Sequence, residues 1–456
     1  SVADSIEGDI SSNTESKSNT LNKQTYDNSN QTIETIEKSG KWYIDSLLNN
    51  SLGKPKKWVS DPDLTFEYSV NNSTVVSYSF PGLGTTTPLY SYEDDRGEIS
   101  AIPFSSAQAD DIRQAFKEIS KFVNITFVEI EEDGSSAGTI RLAMNTITDE
   151  AGNYREGIAA TADPPSEEPR GGDVFFNKQF TSGNFSTGLV QNSETGVGDV
   201  TVLYHEIFHA LGMEHPGDNK ETLFQESKNS REYTVMADEF SLENGADFNL
   251  NGNNYTVAST PMVYDIAPLQ YLYGANMSHN ASDTTYSYKP DTPFIETIWD
   301  AGGTDTLDFS NFSKANTISL VDGEYSTIGF DVDWSMTDNL GIAFDAIIEN
   351  IIGGSGDDTI KGNNSNNNID GGLGIDTVIY NDEYSNYSVT KDSAGSIKVN
   401  HSDTSSTTNE GIDTLSNIEK IQFTDQTIET SSINNIDDRI YSREGTFLGN
   451  NYTIKM

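Results

Sequence analysis

The stretch His205-Glu206-Ile207-Phe208-His209-Ala210-Leu211-Gly212-Met213-Glu214-His215 gathers three of the chain's five histidines into eleven residues, at spacings suited to one metal ion. With Leu203 to Leu211 helical, His205 and His209 stand one turn apart on one face, their side chains about 6 Å from each other. His215 follows His209 by six residues, about 240° around a continued helix, so it joins the pair only if the helix stops. Gly212 supplies the stop, because glycine tolerates the left-handed backbone that ends a helix and lets the chain swing back. Three imidazoles leave one position of a tetrahedral zinc open to water, whose pKa falls towards neutrality there. Glu206 neighbours a ligand yet points about 100° away from it, which suits a carboxylate that takes a proton from that water. At ordinary residue frequencies these five fixed positions coincide by chance on the order of once in 100,000 such chains, which sets aside a merely histidine-rich surface helix.

The surrounding chain narrows the reading. Its 456 residues suffice for two or three domains, each with its own core. The formal charge, 27 − 71 = −44, argues against nucleic acid and anionic membrane as partners. Such a charge repels itself in a compact state unless cations neutralise part of it, and calcium is the obvious candidate. With no cysteine, neither a disulfide framework nor thiol chemistry is available, and calcium staples can take the place of disulfides in a secreted protein. No apolar run approaches the ~20 residues of a membrane span. The polar start Ser1-Val-Ala-Asp-Ser5 lacks a signal-peptide core, so the expectation is either a removed signal or export without one.

Residues 1–40 are rich in Ser, Asn, Thr and Glu and read as a flexible leader or pro-segment. Trp42, Tyr43, Ile44, Leu47 and Leu48 give a short amphipathic helix, followed by strands expected around 65–70 and 75–80. Ala107 to Phe122 has helical spacing after the polar Ser105 and Ser106. Further strands are expected at 125–130, 139–144, 158–162 and 173–177, ahead of the histidine helix. Residues 41–277 therefore form an α+β domain with its site behind a sheet.

Beyond Met277 helical periodicity almost vanishes. Three consecutive nonapeptides begin at Gly353, Gly362 and Gly371, with Ile360, Ile369 and Val378 recurring at position eight. In a parallel β-roll that residue points inward, while the glycine-rich turn offers carbonyls, and Asp358 or Asp376 at position six a carboxylate, to calcium. An ion in such a roll lies between turns two repeats apart, so Asp358 and Asp376 serve one ion, whereas Asn367 has no such partner within the three clear repeats.

These residues resemble the serralysins, secreted bacterial zinc endopeptidases of the metzincin group, over roughly residues 41–425. His215-Pro-Gly-Asp218, Tyr233-Thr-Val-Met236, Leu272-Tyr-Gly-Ala-Asn276 and Trp299-Asp-Ala-Gly-Gly-Thr-Asp305 carry the likeness together with the zinc motif and the nonapeptides. The resemblance implies an α+β metzincin catalytic domain over 41–277. An all-β C-terminal domain over 278–456 follows, containing a parallel β-roll and β-sandwich-like strands. It implies one catalytic zinc held by His205, His209 and His215, Glu206 as general base, and Met236 as the Met-turn floor. Several structural calcium ions are implied as well. Asp300, Gly302, Gly303, Asp305 and Glu349, with the backbones at Asn280, Ser282 and Thr284, match the junction site. Gly354, Gly356, Asp358, Gly371, Leu373 and Asp376 match the roll. Substrate is expected to add a strand along Gly157 to Asp163, where Ala159, Ala160 and Ala162 give little obstruction.

Protein or peptide substrates are the expected partners, with a proteinaceous inhibitor as a further candidate and the chain acting as an extracellular monomer. The sequence also departs from the family. Met236-Ala237-Asp238 carries a carboxylate where serralysins typically carry a tyrosine, and Asp238 is a candidate further zinc ligand. Since an ionised carboxylate cannot donate to an oxyanion, the alternative reading is a weak or silent relative serving as a binding or adhesion module. Phe208 stands where the family often has glycine, and the ending Asn451 to Met456 lacks the usual acidic and hydrophobic pattern. His279 and His401 have no ligand-like neighbours in sequence and read as structural.

Overall fold

The computed structural model describes residues 32–48, 54–83, 91–94, 97–132, 137–146, 159–168, 170–178, 189–191, 200–218, 224–237, 254–332, 337–401, 409–434, 443–447 and 450–454. Its N-terminal half is built on five strands: β1 (Thr74–Ser79), β2 (Ile125–Glu129), β3 (Ile140–Asn145), β4 (Ala160–Ala162) and β5 (Asp173–Asn177). Their order is β2-β1-β3-β5-β4. All neighbours are parallel except β4, which runs antiparallel to β5 at the edge. All residues of β3 and β5 are buried, as a sheet covered on both faces requires.

Helix α1 (Ser106–Phe122) starts at a capping box, in which the Ser105 hydroxyl accepts the Gln108 N–H and Gln108 Oε1 accepts the Ser105 N–H. Its stripe of Ala109, Ile112, Ala115, Phe116, Ile119 and Phe122 is buried, and the helix packs on β2. Each large side chain so buried contributes about 1.5–3 kcal/mol. Helix α2 (Val200–Leu211), which carries the histidines, packs against β4, β5 and α1. Helix α3 (Val263–Tyr273) follows the second half of the site. Among the described residues no helix is long and apolar enough to cross a membrane.

One expected strand is a helix. Residues 62–68 are helical, not extended, because Pro62 sits at the first helical position, where its missing N–H costs nothing. Thr65 N–H then closes the first turn on the Asp61 carbonyl at 2.9 Å. The last part of the expected leader is also structured: Ile33–Thr35 pairs antiparallel with Lys56–Trp58, while residues 1–31 lie outside the described set.

Residues 47–48 and 54–58 clasp the end of α2. The Leu47 carbonyl accepts Glu214 N–H at 2.9 Å, and Leu48 bridges Met213. The fully buried Trp58 indole donates to the Ala210 carbonyl at 2.7 Å, and the Tyr273 hydroxyl donates to that of Leu211 at 2.8 Å. Two carbonyls that a helix end leaves without partners are thereby satisfied. Trp58→Phe keeps most of the ring's burial but orphans the Ala210 carbonyl. We expect a loss of about 1–3 kcal/mol, read as a lower urea midpoint with an unchanged m-value.

The C-terminal half contains the roll. Thr306–Asp308, Asn350–Ile352, Asn368–Asp370 and Ile412–Ser416 pair in parallel on one side, and Thr317–Ser319, Thr359–Lys361, Thr377–Ile379 and Lys420–Gln422 on the other. Leu307, Ile351, Ile369 and Leu415 form one buried row and Ile318, Ile360, Val378 and Ile421 the second, so the position-eight residues alternate between the two walls. Asn367 finds its partner outside the nonapeptides: its N–H donates to Asp413 Oδ1 at 2.8 Å, across the inserted hairpin Tyr387–Lys391/Ile397–His401.

The two halves share one core. Tyr43 stacks on Phe344 with ring centres 4.2 Å apart, and Tyr264 packs among Trp42, Phe224 and Phe344. Thr297 N–H donates to the Thr260 hydroxyl at 2.8 Å, and Ala258 bridges Ile295.

Candidate metal centres

Helix α2 stops where the sequence reading places the stop. Gly212 has φ +110°, its N–H bonds to the His209 carbonyl at 3.0 Å, and Met213 N–H bonds to that of Phe208 at 2.9 Å, the pair of bonds that closes a Schellman motif. A Cβ at Gly212 would lie 2.5 Å from the Lys56 carbonyl oxygen. Gly212→Ala therefore strains the turn that delivers His215. We expect about 1–3 kcal/mol of destabilisation and weaker zinc retention against a chromogenic chelator.

The turn brings the three histidines together. His205, His209 and His215 Nε2 form a triangle with every side 3.1 Å. Nitrogens at about 2.0–2.1 Å from one zinc, at tetrahedral angles, stand about 3.3 Å apart, so the triangle already has the dimensions of a zinc site. Each ring is held from behind through Nδ1. His205 donates to the Val235 carbonyl at 2.7 Å, His209 to the Met213 carbonyl at 2.9 Å, and His215 to Asp218 Oδ2 at 2.9 Å. With the proton on Nδ1, all three Nε2 lone pairs face the same point. Burial lowers the His205 pKa well below the ordinary value and that of His209 to about 4, which keeps both rings neutral and able to ligate.

Glu206, next in sequence to His205 on α2, is almost fully buried. Burial pushes its carboxyl up to about 8, and the charge of Arg231 pulls it down. A nearby divalent cation favours the ionised form further. Met236 is fully buried in the turn after Thr234. Asp265 organises that turn: its Oδ2 accepts Val235 N–H at 3.0 Å and Met262 N–H at 2.9 Å, and its Oδ1 accepts the Thr234 hydroxyl at 2.6 Å. Asp265 thus fixes the residue whose carbonyl orients His205. The sequence reading missed Asp265 and the role of Asp218. For Asp218 the available clue was the Pro-Gly turn three residues long after His215.

Asp238 lies outside the described residues, as do Gly157 and Ile158 of the expected edge. Among the described residues β4 has one neighbour, β5, and Ala159, Ala160 and Ala162 lie on it or beside it. Phe208 is buried against Tyr204, with stacked rings 6.0 Å apart. His401 is buried on Tyr387 and faces Asp382 at 3.3 Å, while His279 is half-buried.

The expected calcium residues also converge. At the junction the Gly302 N–H donates to Asp300 Oδ1, the Tyr286 hydroxyl to Asp300 Oδ2 and the Thr284 N–H to Asp305 Oδ1. The Asp305 N–H donates to Glu349 Oε2 at 2.8 Å. Asn280 has φ +51°, and a Cβ on Gly303 would lie 2.7 Å from the Ser282 carbonyl carbon. In the roll the Asp358 N–H donates to Asp376 Oδ1 at 2.8 Å, the Gly354 N–H to Asp358 Oδ2 at 3.0 Å and the Leu373 N–H to the Gly354 carbonyl at 2.9 Å. The Gly354 and Gly356 carbonyl oxygens crowd the next turn, 2.2 and 2.5 Å from where a Cβ on Gly372 or Gly374 would sit.

Asp305 and Asp376 are fully buried, yet Oδ2 of each has no hydrogen-bond partner. A buried carboxylate oxygen without a donor is costly, and a hard divalent cation among carboxylates and carbonyls relieves that cost. The residues present fit calcium.

Comparison with known proteins agrees with both halves. Residues 99–242 match the family described as Matrixin, and residues 266–442 match the one described as Peptidase M10 serralysin C terminal. Serralysin G of Dickeya chrysanthemi is 33% identical over 290 residues, 59% of this chain and 56% of that protein. Serralysin of Proteus mirabilis is 30% identical over 369 residues, 74% of this chain and 70% of that protein. Metallopeptidase AprA of Pseudomonas marginalis is 30% identical over 329 residues, 66% of this chain and 63% of that protein.

Proposed function

Because the chain belongs to the serralysin family, we propose that it is a secreted zinc endopeptidase stabilised by calcium. The observation that carries the reading is the 3.1 Å triangle of Nε2 atoms, each ring fixed through Nδ1. Zinc held there supplies Lewis acidity towards water and towards the carbonyl oxygen of a peptide.

The chain's own residues do the rest. Glu206 takes the proton from the attacking water and returns it to the leaving amine nitrogen. Val235, Met213 and Asp218 hold the three rings so that their lone pairs stay aimed at one point. Along β4 an extended peptide can pair with the backbone edge that no described strand covers, and the small side chains of Ala160 and Ala162 make that recognition mostly main-chain and therefore broad. Glu349, Asp305, Asp358 and Asp376 take calcium, consistent with the orphaned oxygens of Asp305 and Asp376.

Casein hydrolysis tests the reading. We expect activity that needs one zinc per chain, is lost to a zinc chelator and returns with added zinc. Well-folded, zinc-loaded protein that leaves casein intact would overturn the endopeptidase and leave a binding module in its place.

A further inference from the structure

Two places in the C-terminal half repeat the same short text on paired strands. Gly303-Thr304-Asp305-Thr306-Leu307 faces Ile348-Glu349-Asn350-Ile351, and Gly374-Ile375-Asp376-Thr377-Val378 faces Ile418-Glu419-Lys420-Ile421. The register is the same in both: Thr306 pairs with Asn350 and Leu307 with Ile351, while Thr377 pairs with Lys420 and Val378 with Ile421.

The hydrogen bonds repeat as well. Asp305 N–H donates to Glu349 Oε2 at 2.8 Å, and Asp376 N–H donates to Glu419 Oε2 at 2.9 Å. Each aspartate's Oδ1 accepts one N–H from the preceding rung, Thr284 in the first copy and Asp358 in the second, both at 2.8 Å. Each aspartate's Oδ2 is buried and unpartnered. At the second copy a carbonyl completes the surroundings. Asn417, with φ +52°, turns its oxygen towards Gly371, where a Cβ would lie 2.3 Å from it and 2.7 Å from Asp376 Oδ2.

We propose that Asp376 Oδ2, the Glu419 carboxylate and the Asn417 carbonyl form a further calcium site, beyond the three nonapeptides, that fastens the strand Lys420–Gln422 to the roll. The donors are all oxygen, two of them anionic, in the irregular arrangement that calcium accepts and magnesium does not. Asp376 then bridges two ions, one shared with Asp358 and one with Glu419. The inference is independent of the zinc reading and draws on the calcium reading only through Asp376.

Calcium per chain, measured on the full zinc-loaded protein at pH 8 after equilibrium dialysis against calcium, tests it. Glu419→Gln keeps an acceptor for the Asp376 N–H and removes the charge. The expected result is one calcium fewer per chain, with unchanged zinc content and circular dichroism. Asp357→Asn, an exposed carboxylate on the neighbouring turn, should keep the full number. An unchanged count in Glu419→Gln overturns the site, whereas an unaltered chain that binds no calcium overturns the calcium reading as a whole. If the variant does not fold, anomalous scattering from calcium-soaked crystals of the unaltered chain decides. A peak between Asp376 Oδ2 and Glu419 supports the site, and its absence beside a filled Asp358–Asp376 turn overturns it.

Discussion

Under the proposed function, Glu206→Gln should leave the zinc content of the chain unchanged and lower kcat on casein by about 10²–10⁴-fold, the usual scale of a lost general base. Glutamine keeps the shape and the burial of the side chain, so the loss reads as chemistry and not as unfolding. Asp218 is spent on His215 and Asp265 on the turn that fixes Val235, whereas Glu206 is the buried carboxylate next to a ligand in sequence. KM should move little. A variant that retained kcat within a few-fold would show that another group takes the proton.

Removing calcium should unfold the region from about Thr284 to Ile379 at pH 8. Each ion held at a hundredfold excess over its Kd contributes about 2.7 kcal/mol, so several ions together rival the net stability of a domain. The pH dependence has a definite sign. Without calcium, Asp305 and Asp376 are pushed up from 3.8 to about 7, first by burial and then by neighbouring carboxylates. An acid whose folded pKa lies above its unfolded value binds more protons when folded, so its contribution is present at low pH and is lost as pH rises from about 4 through 7. The calcium-free chain should therefore melt at a higher temperature at pH 5 than at pH 8, while added calcium raises Tm more at pH 8 than at pH 5, where protons compete for the same oxygens. Equal Tm values with and without excess EGTA at pH 8 would sink the calcium reading.

The histidine motif was legible because its information is local. Spacing within one helix and one glycine determine where His205, His209 and His215 meet. The partners behind the rings were not legible, since Val235 and Met213 act through carbonyls, which every residue carries. Residues 62–68 misled because Leu64, Phe66 and Tyr68 alternate like a strand, while the competing cue, Asp61 followed by Pro62, is only two residues long. The partner of Asn367 was hidden for another reason: the hairpin between residues 387 and 401 moves Asp413 out of the nonapeptide period without moving it out of the roll. The second Asp-Glu pair escaped notice in the same way, because strand pairing, not sequence distance, makes Asp376 and Glu419 neighbours.

The shared core sets a limit on modularity. A fragment cut after Met277 would keep all three histidines and Glu206, so by motif it would count as a complete enzyme. It would lose Phe344 from the stack on Tyr43, the Ile295 partner of Ala258, and the Tyr325 hydroxyl that reaches the Tyr233 carbonyl at 3.4 Å, three residues before Met236. The sides of Tyr43 and Tyr264 that face Phe344 would then be open to solvent and sticky. For anyone engineering a smaller version, the roll is not a detachable tail; the catalytic half has borrowed part of its own wall from it.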